Sequence, residues 1–425
     1  MNRVVFHIGE LGAIRDSEFA MAPLMIFSGE SGLGKSYAAF LAHYIYEILL
    51  SDRIKHFFDD KGYDFKKIFK EKQSGKSILS IQTKDLVDWL NNDAVAYVSY
   101  LIGNPGLTGR VSIELPLHEQ TFEFVYNEEM RGLNDQEDVY YTIGLKTFTY
   151  SVVAANFLED STAFSELIKA VLREEVFGNF RSLTNTYLLP PSRGSLMEID
   201  QKPSFISGMY DEFWLMKQDI ARSLPRPNAI DENIINYSRL VNKGRVERVG
   251  GKLMYFTNDA VMPLTAAASS IKELSPLTLF LSKYPVRGVS FLFEEPEAHL
   301  HPIRQSHLAD LIGCMINDGA FLQITTHSDY FLKRLNNLIK LFLLKDKVEE
   351  GKFDDFLKQW DIEKAILLDP NNIVSLFVKE TSDGHSMIVT QNIHEDNEIP
   401  FESFYDSIED DLKLSQEINQ LENSL

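Results

Sequence analysis

Eight consecutive residues, Gly29-Glu30-Ser31-Gly32-Leu33-Gly34-Lys35-Ser36, have the types and spacing needed to hold a chain of phosphates. They fit the phosphate-loop (P-loop) pattern G-x-x-x-x-G-K-[ST] at every fixed position. Gly29, Gly32 and Gly34 let the backbone curl so that successive N–H groups point inward at phosphate oxygens. A helix beginning near Lys35 would add its positive N-terminal end. The Lys35 ammonium would reach the β- and γ-phosphates of a nucleotide, and the Ser36 hydroxyl would ligate Mg²⁺. The alternative is a glycine-rich turn with no ligand. The flanks argue against it: Pro23 to Phe27 is an apolar run, and Tyr37 to Leu50 is a helix former without Gly or Pro.

Two further clusters sit far downstream. The apolar run from Val289 leads straight into Glu294 and Glu295. A buried strand that ends in two acids is costly unless a metal or a base balances them. The first acid can hold the Mg²⁺ of a bound nucleotide, and the next can polarise an attacking water. The stretch from Ala320 to Thr326 is again an apolar strand, and it ends in His327. A lone histidine is usually structural. At the C-terminal end of a parallel strand, where α/β folds place ligands, it can contact a γ-phosphate.

These side chains need strands and helices to hold them. Val4 to Ile8 and Ser17 to Met21 read as two strands ahead of the P-loop strand, and Leu79 to Asn91 as a helix. Arg110 to Leu115, Thr121 to Tyr126 and Tyr140 to Tyr150 have strand character, and Ser165 to Phe180 has apolar residues at helical spacing. Thr186 to Leu189 is an apolar strand that runs into Pro190-Pro191-Ser192-Arg193-Gly194, a segment whose role the sequence leaves open. Helices are expected at Gly208 to Leu224 and Asp231 to Val241, and a hairpin turns at Gly250-Gly251. After His327, short strands are expected at Lys340 to Leu344, Ile366 to Leu368, Ile373 to Val378 and Ser386 to Val389. An acidic helix follows from about Phe401, with Phe404, Ile408, Leu412 and Ile418 as its apolar stripe.

A chain of 425 residues exceeds one compact core. Hydrophobic residues make up 44% and charged residues 24%, which fits a globular chain rather than a disordered one. With 42 Lys plus Arg against 62 Asp plus Glu, the net charge is −20, so phosphate backbone is repelled on average and any nucleic-acid contact needs a local basic patch. Lys66, Lys67, Lys70, Lys72 and Lys76 form such a cluster, although a solvated face explains it as well. Cys314 is the one cysteine, which excludes a disulfide framework. No apolar run is long enough to span a membrane and the N-terminus lacks a signal-peptide pattern, so a cytoplasmic location is expected.

Taken together the motifs resemble the ABC-type ATPase superfamily, in its branch of SMC-like, RecF-like and OLD-like ATPases. Phe293 to Pro302, FEEPEAHLHP, and Thr325 to Phe331, TTHSDYF, carry the resemblance most specifically. It implies Glu294 as the Walker B acid, Glu295 as the catalytic glutamate and His327 as the switch histidine, with Lys35 acting on the phosphates. The Walker B metal acid of the superfamily is usually Asp, whereas Glu294 stands here. The signature motif is replaced by Ala266 to Leu274, where Ser269 and Ser270 would face the γ-phosphate of a partner subunit; an ordinary Ser-capped helix is the other reading. The resemblance implies ATP and Mg²⁺ as cofactors and a homodimer, or an assembly of dimers, closed around two ATP. It also implies a separate nuclease or toxin effector in anti-phage defence, with DNA or a phage product as trigger. The alternatives are a RecF-like or SMC-like ATPase acting on DNA, and a slow-turnover scaffold that sequesters an effector. OLD-family nucleases carry a C-terminal Toprim domain, but no D-x-D follows His327, so an ATPase head without its own effector is expected.

The expected fold class is α/β: an ABC-type P-loop ATPase head, its mixed and parallel sheet flanked by helices, with N-terminal antiparallel strands and a short helical insertion. The expected division is an N-terminal lobe with the P-loop over 1–150, a helical insertion over 151–260 whose strand 186–189 returns to the core, and a C-terminal lobe over 261–425.

Overall fold

The computed structural model describes residues 2–133, 136–153, 160–222, 231–396, 398–400 and 412–419. In chain order the elements begin with β1 (Val5–Leu11), β2 (Ile14–Ala20), β3 (Leu24–Gly29), α1 (Lys35–Ile48), α2 (Ile54–Asp60), α3 (Phe65–Lys70), β4 (Lys76–Gln82) and α4 (Thr83–Ile102). There follow β5 (Gly109–Glu114), β6 (Thr121–Leu133), β7 (Gln136–Leu145), β8 (Phe148–Val153), α5 (Thr162–Phe177) and β9 (Asn185–Leu189). Next come α6 (Arg193–Met197), α7 (Gly208–Arg222), α8 (Glu232–Asn242), β10 (Arg245–Val249), β11 (Lys252–Phe256), β12 (Val261–Pro263) and α9 (Ser269–Leu281). The chain continues with β13 (Val289–Glu294), α10 (Pro302–Asn317), β14 (Phe321–Thr325), α11 (Asp329–Leu344), α12 (Glu350–Gln359), β15 (Ile373–Glu380), β16 (Ser386–Gln391) and α13 (Ile393–Asp396).

The elements fall into two discontinuous units. The first comprises Met1–Met21, Phe40–Thr186 and Gly288–Ser290. In it β1 is antiparallel to both β2 and β5, and β4, β6, β7 and β8 form a four-stranded antiparallel sheet. Phe58, Phe65, Phe69 and Phe124 crowd around the fully buried Phe164 of α5. Burying such rings removes large apolar areas from water and supplies much of this unit's core energy.

The second unit comprises Ala22–Ala39, Tyr187–Arg287 and Phe291–Leu425. Its strands run in the order β16-β15-β3-β14-β13-β9. β3 lies between β14 and β15 and is parallel to both. Its six residues are all buried, as are those of β13, which explains why both read as continuous apolar runs rather than alternating ones. α10 packs against α8 and α11, and α6 against α9. The observed class is therefore the expected one, a large sheet with parallel and antiparallel pairs flanked by helices, with antiparallel strands at the N-terminal end.

Four expected segments are corrected. Tyr140 to Tyr150 is not one strand: β7 ends at Leu145 and β8 begins at Phe148, antiparallel to it. Leu79 to Gln82 belongs to β4, paired with β6, and the helix starts only at Thr83 and runs to Ile102. Lys340 to Leu344 is the last turn of α11 rather than a strand, because Leu335, Leu338, Ile339 and Leu341 bury one helical stripe. Ile366 closes a 3₁₀ turn (Lys364–Ile366), and Ile366 and Leu368 are fully buried without being strand residues. Of the expected C-terminal acidic helix, Phe404 and Ile408 lie outside the described residues. Residues 412–419 are helical, with Leu412 and Ile418 exposed.

Gly29 shows how tightly the P-loop strand is packed. It has φ +123, and a Cβ on it would lie 2.1 Å from the Val378 carbonyl oxygen of β15. Gly32 has φ +84 but open space around it. Gly32→Ala should thus cost only the left-handed strain, roughly 1–2 kcal/mol. Gly29→Ala adds a backbone clash and should cost more, with about 1–3 kcal/mol on top. Chemical denaturation of the two variants checks the difference; equal losses would contradict the close approach of Gly29 to the Val378 carbonyl.

Candidate nucleotide site

The P-loop, β13 and β14 all end at one place in the second unit, and the chemistry gathers there. Gly29, Gly32 and Gly34 all have positive φ, as the curled loop requires. Leu33 lies within the curl, and the helix α1 begins at Lys35. Lys35 is 6% exposed and donates from Nζ to the carbonyls of Gly29 at 3.0 Å and Glu30 at 2.6 Å. Burial pushes its ammonium down to about 8, against the opposing pull of Glu295, Glu294, Glu297 and Glu30.

Ser36 donates from its hydroxyl to Glu294 Oε2 at 2.7 Å. The other oxygen, Oε1, is buried and has no hydrogen-bond partner. Burial pushes the Glu294 carboxyl up to about 7, with the hydroxyl of Ser36 opposing the shift. A buried carboxylate oxygen left over beside a hydroxyl fits a divalent cation held by one or two protein groups and completed by phosphate oxygens and water. Among the described residues, no cluster of three or more His, Cys, Asp or Glu side chains able to hold a metal occurs.

Glu295 follows the strand with φ +43, a left-handed conformation that is uncommon for a side-chain-bearing residue. Its N–H is held by Thr325, through the carbonyl at 3.1 Å and the hydroxyl at 3.2 Å. Its carboxylate is 45% exposed and lies 3.6 Å from His327 Nε2. His327 also approaches the Ser31 hydroxyl at 3.4 Å. Burial, followed by the charge of Lys35, lowers the His327 pKa from its ordinary value, which favours the neutral ring. A neutral imidazole between the loop and the paired acids can donate to an anion or accept from a water.

Sequence reasoning missed Glu297. It is buried, and its Oε1 accepts from the Thr326 hydroxyl at 2.7 Å and from the His327 N–H at 2.9 Å. It therefore fixes the loop that carries the histidine to the turn that carries the acids. Its place in Glu294-Glu295-Pro296-Glu297 was visible, but nothing in the spacing distinguishes a buried third acid from an exposed one.

Ser269 and Ser270 belong to α9, not to the P-loop or the ends of β13 and β14. Ser269 is the first residue of α9 and is exposed. Ser270 is buried, and its hydroxyl accepts from Arg304 Nη1 at 2.8 Å. Of the pair, Ser269 alone presents its side chain at the surface.

The raised Glu294 pKa makes a stability claim. The folded chain favours the protonated carboxyl, so ionisation costs nothing below about pH 4.5, costs progressively more as the pH rises to about 7, and costs in full above that. Glu294→Gln should accordingly stabilise the nucleotide-free protein at pH 8, by roughly 1–3 kcal/mol, and give little gain near pH 4.5. Melting curves in EDTA at the two pH values test this, and an equal change at both would refute it.

The AAA ATPase domain, as a sequence family, matches residues 44–332. The match starts after Ser36, so the P-loop stands on its own residues and geometry. Among curated proteins, none matches. Solved structures that are similar include an SMC head bound to the C-winged helix domain of ScpA, at 11% identity and TM-score 0.39, covering 93% of this chain and 99% of that one. An SMC head domain from Thermotoga maritima is 10% identical with TM-score 0.34, over 92% of this chain and 100% of that one. An Smc head domain with an extended coiled coil, bound to the C-terminal domain of ScpA and derived from Pyrococcus furiosus, is 11% identical with TM-score 0.38, over 98% of each chain. Likenesses at that level carry no argument about this chain. The sequence match is different in kind, because it spans more than half of the 425 residues: the chain belongs to the AAA ATPase domain family.

Proposed function

We propose that this ATPase is an ABC-type head that binds ATP with Mg²⁺, hydrolyses it, and closes as a dimer around two ATP molecules. The observation that carries the reading is the convergence of Lys35, Ser36, Glu294, Glu295 and His327 at the ends of three neighbouring strands. The P-loop amides and Lys35 would bind the phosphate chain. Ser36 and Glu294 would hold Mg²⁺, which supplies charge neutralisation at the phosphates. Glu295, aimed by its turn, would accept the proton of the attacking water. His327 would sit against the terminal phosphate and report its loss to the loop held by Glu297.

The dimer is supported by the exposed helix start at Ser269, which can add its N-terminal end to the second site in trans. Loss of the γ-phosphate would then weaken the interface, which makes the head a switch. Control of a separate nuclease or toxin in anti-phage defence rests on the resemblance to OLD-like ATPases alone. A second reading, action on DNA itself, is favoured by the exposed Lys66, Lys67 and Lys70 of α3 and opposed by the net charge of −20.

The roles separate by substitution. Lys35→Ala should lower turnover by roughly 100-fold or more while the fold is kept. Glu295→Gln should lower turnover comparably yet leave ATP bound and the dimer persistent on gel filtration. Normal turnover in either folded variant would sink the assignment. For the shared site, chains carrying Lys35→Ala mixed with chains carrying Ser269→Arg should regain activity above either parent, because one of the two composite sites is then intact. Proven heterodimers without any recovery would refute the arrangement in trans.

A further inference from the structure

The segment after β9 has a definite place in the structure. Arg193 is 0% exposed, the largest fully buried side chain among the described residues. Its guanidinium donates from Nε to the Glu273 carbonyl at 2.9 Å. From Nη1 it donates to the carbonyls of Pro190 and Glu294, both at 2.9 Å. Nη2 reaches the Glu295 carbonyl at 3.5 Å. The guanidinium lies over the Phe293 ring, 4.5 Å from its centroid, and Glu273 Oε2 is 3.8 Å from Nε.

A wholly buried cation is costly unless its geometry is specific. Here the specificity is directed at backbone. Two of the four carbonyls belong to Glu294 and Glu295, the residues that supply the paired acids. Glu295 occupies its left-handed conformation with its N–H held by Thr325 and its carbonyl reached by Arg193, so the turn is pinned on both sides. A third carbonyl, of Glu273, lies in α9. The next residue, Gly194, brings that helix into direct contact: a Cβ there would be 2.9 Å from the Glu273 nitrogen and 2.9 Å from the Lys272 carbonyl carbon. The planar fork of five donors can serve carbonyls on three segments at once, which a lysine ammonium, a point charge on a flexible stem, cannot.

We propose that Arg193 is a positioning residue for hydrolysis: it pins the backbone at Glu294 and Glu295 and ties that pair to α9, so that the acids and the Ser269 surface are held as one body. The proposal rests on the roles given above to Glu294 and Glu295. Groups that orient the reacting shell typically carry 10- to 100-fold effects on activity, and small displacements at a reacting centre are comparably expensive.

Arg193→Ala should lower kcat by roughly 10- to 100-fold. Affinity for a fluorescent ATP analogue should stay within about threefold, since the P-loop amides and Lys35 do not touch Arg193. Guanidinium chloride at millimolar concentration should restore kcat several-fold, and urea at the same concentration should not. Wild-type kcat in folded Arg193→Ala overturns the proposal. So does a loss of kcat matched by loss of nucleotide affinity and not rescued by guanidinium, the pattern of a purely structural role. If Arg193→Ala does not fold, Arg193→Lys carries the test, because it keeps a buried charge without the fork. An unchanged kcat there overturns the proposal, and a kcat reduced at unchanged ATP affinity supports it. Glu295→Gln measured in parallel separates the two claims: if that variant turns over normally, the catalytic assignment fails independently of Arg193.

Discussion

Charge held out of water at the ends of parallel strands is the constraint on which the second unit depends. Glu294 and Glu297 are buried within reach of the buried cations Lys35 and Arg193. Burial works against each charge: it raises Glu294 and Glu297, and, with the nearby carboxylates opposing it, Lys35 falls to about 8 and Arg193 to about 10. Each charge is tolerable because another of opposite sign is near and because hydrogen bonds satisfy most of its polar atoms. The exceptions are informative. Glu294 Oε1 and Glu297 Oε2 are buried without hydrogen-bond partners, and the first belongs to the carboxylate whose other oxygen accepts from the Ser36 hydroxyl.

Backbone strain accompanies that charge. Ser192, Glu295 and His299 all adopt positive φ, and all lie in the turns that flank the buried groups. Such conformations persist only where surrounding contacts over-determine them. Glu295 meets that requirement through Thr325 on one side and Arg193 on the other. The strain and the burial are thus one arrangement: the turn that places a carboxylate toward the P-loop is held by groups that also balance the charges beneath it.

The loop carrying His327 is joined to the same arrangement. Thr326 donates its N–H to the Phe27 carbonyl of β3, and its hydroxyl to Glu297. Ser328 caps α11 by accepting from the Phe331 N–H. His327 is thus joined to the acid turn through Glu297 and to α11 through its neighbour Ser328. The exposed Ser269 belongs to α9, which Arg193 joins to that acid turn. Through these few side chains the acid turn, the histidine loop and the start of α9 share a single framework.

The P-loop, the paired acids and the strand-end histidine were legible in the sequence because each is a local pattern, an apolar run that stops at chemically distinctive residues. β3, β13 and β14 declared themselves by continuous hydrophobicity, since strands buried on both faces leave no polar alternation. Glycine-rich curl and phosphate chemistry are tied together by backbone geometry that only glycine permits easily. What the sequence left open depends on neighbours remote in the chain. Arg193 is separated from Glu273 and Glu294 by long stretches, so its burial and its four carbonyl partners follow from the packing of β9, α9 and β13. Glu297 could not be told from a solvent-facing acid until Thr326 and His327 were placed over it. Lys340 to Leu344 is as apolar as a strand, and the tertiary fold made it helix by giving α11 a face to bury. Likewise Ser269 and Ser270 are adjacent and chemically identical. The helix turn that points one outward and seats the other against Arg304 was decided by the tertiary structure alone, because burial is a property of position in space and not of residue type.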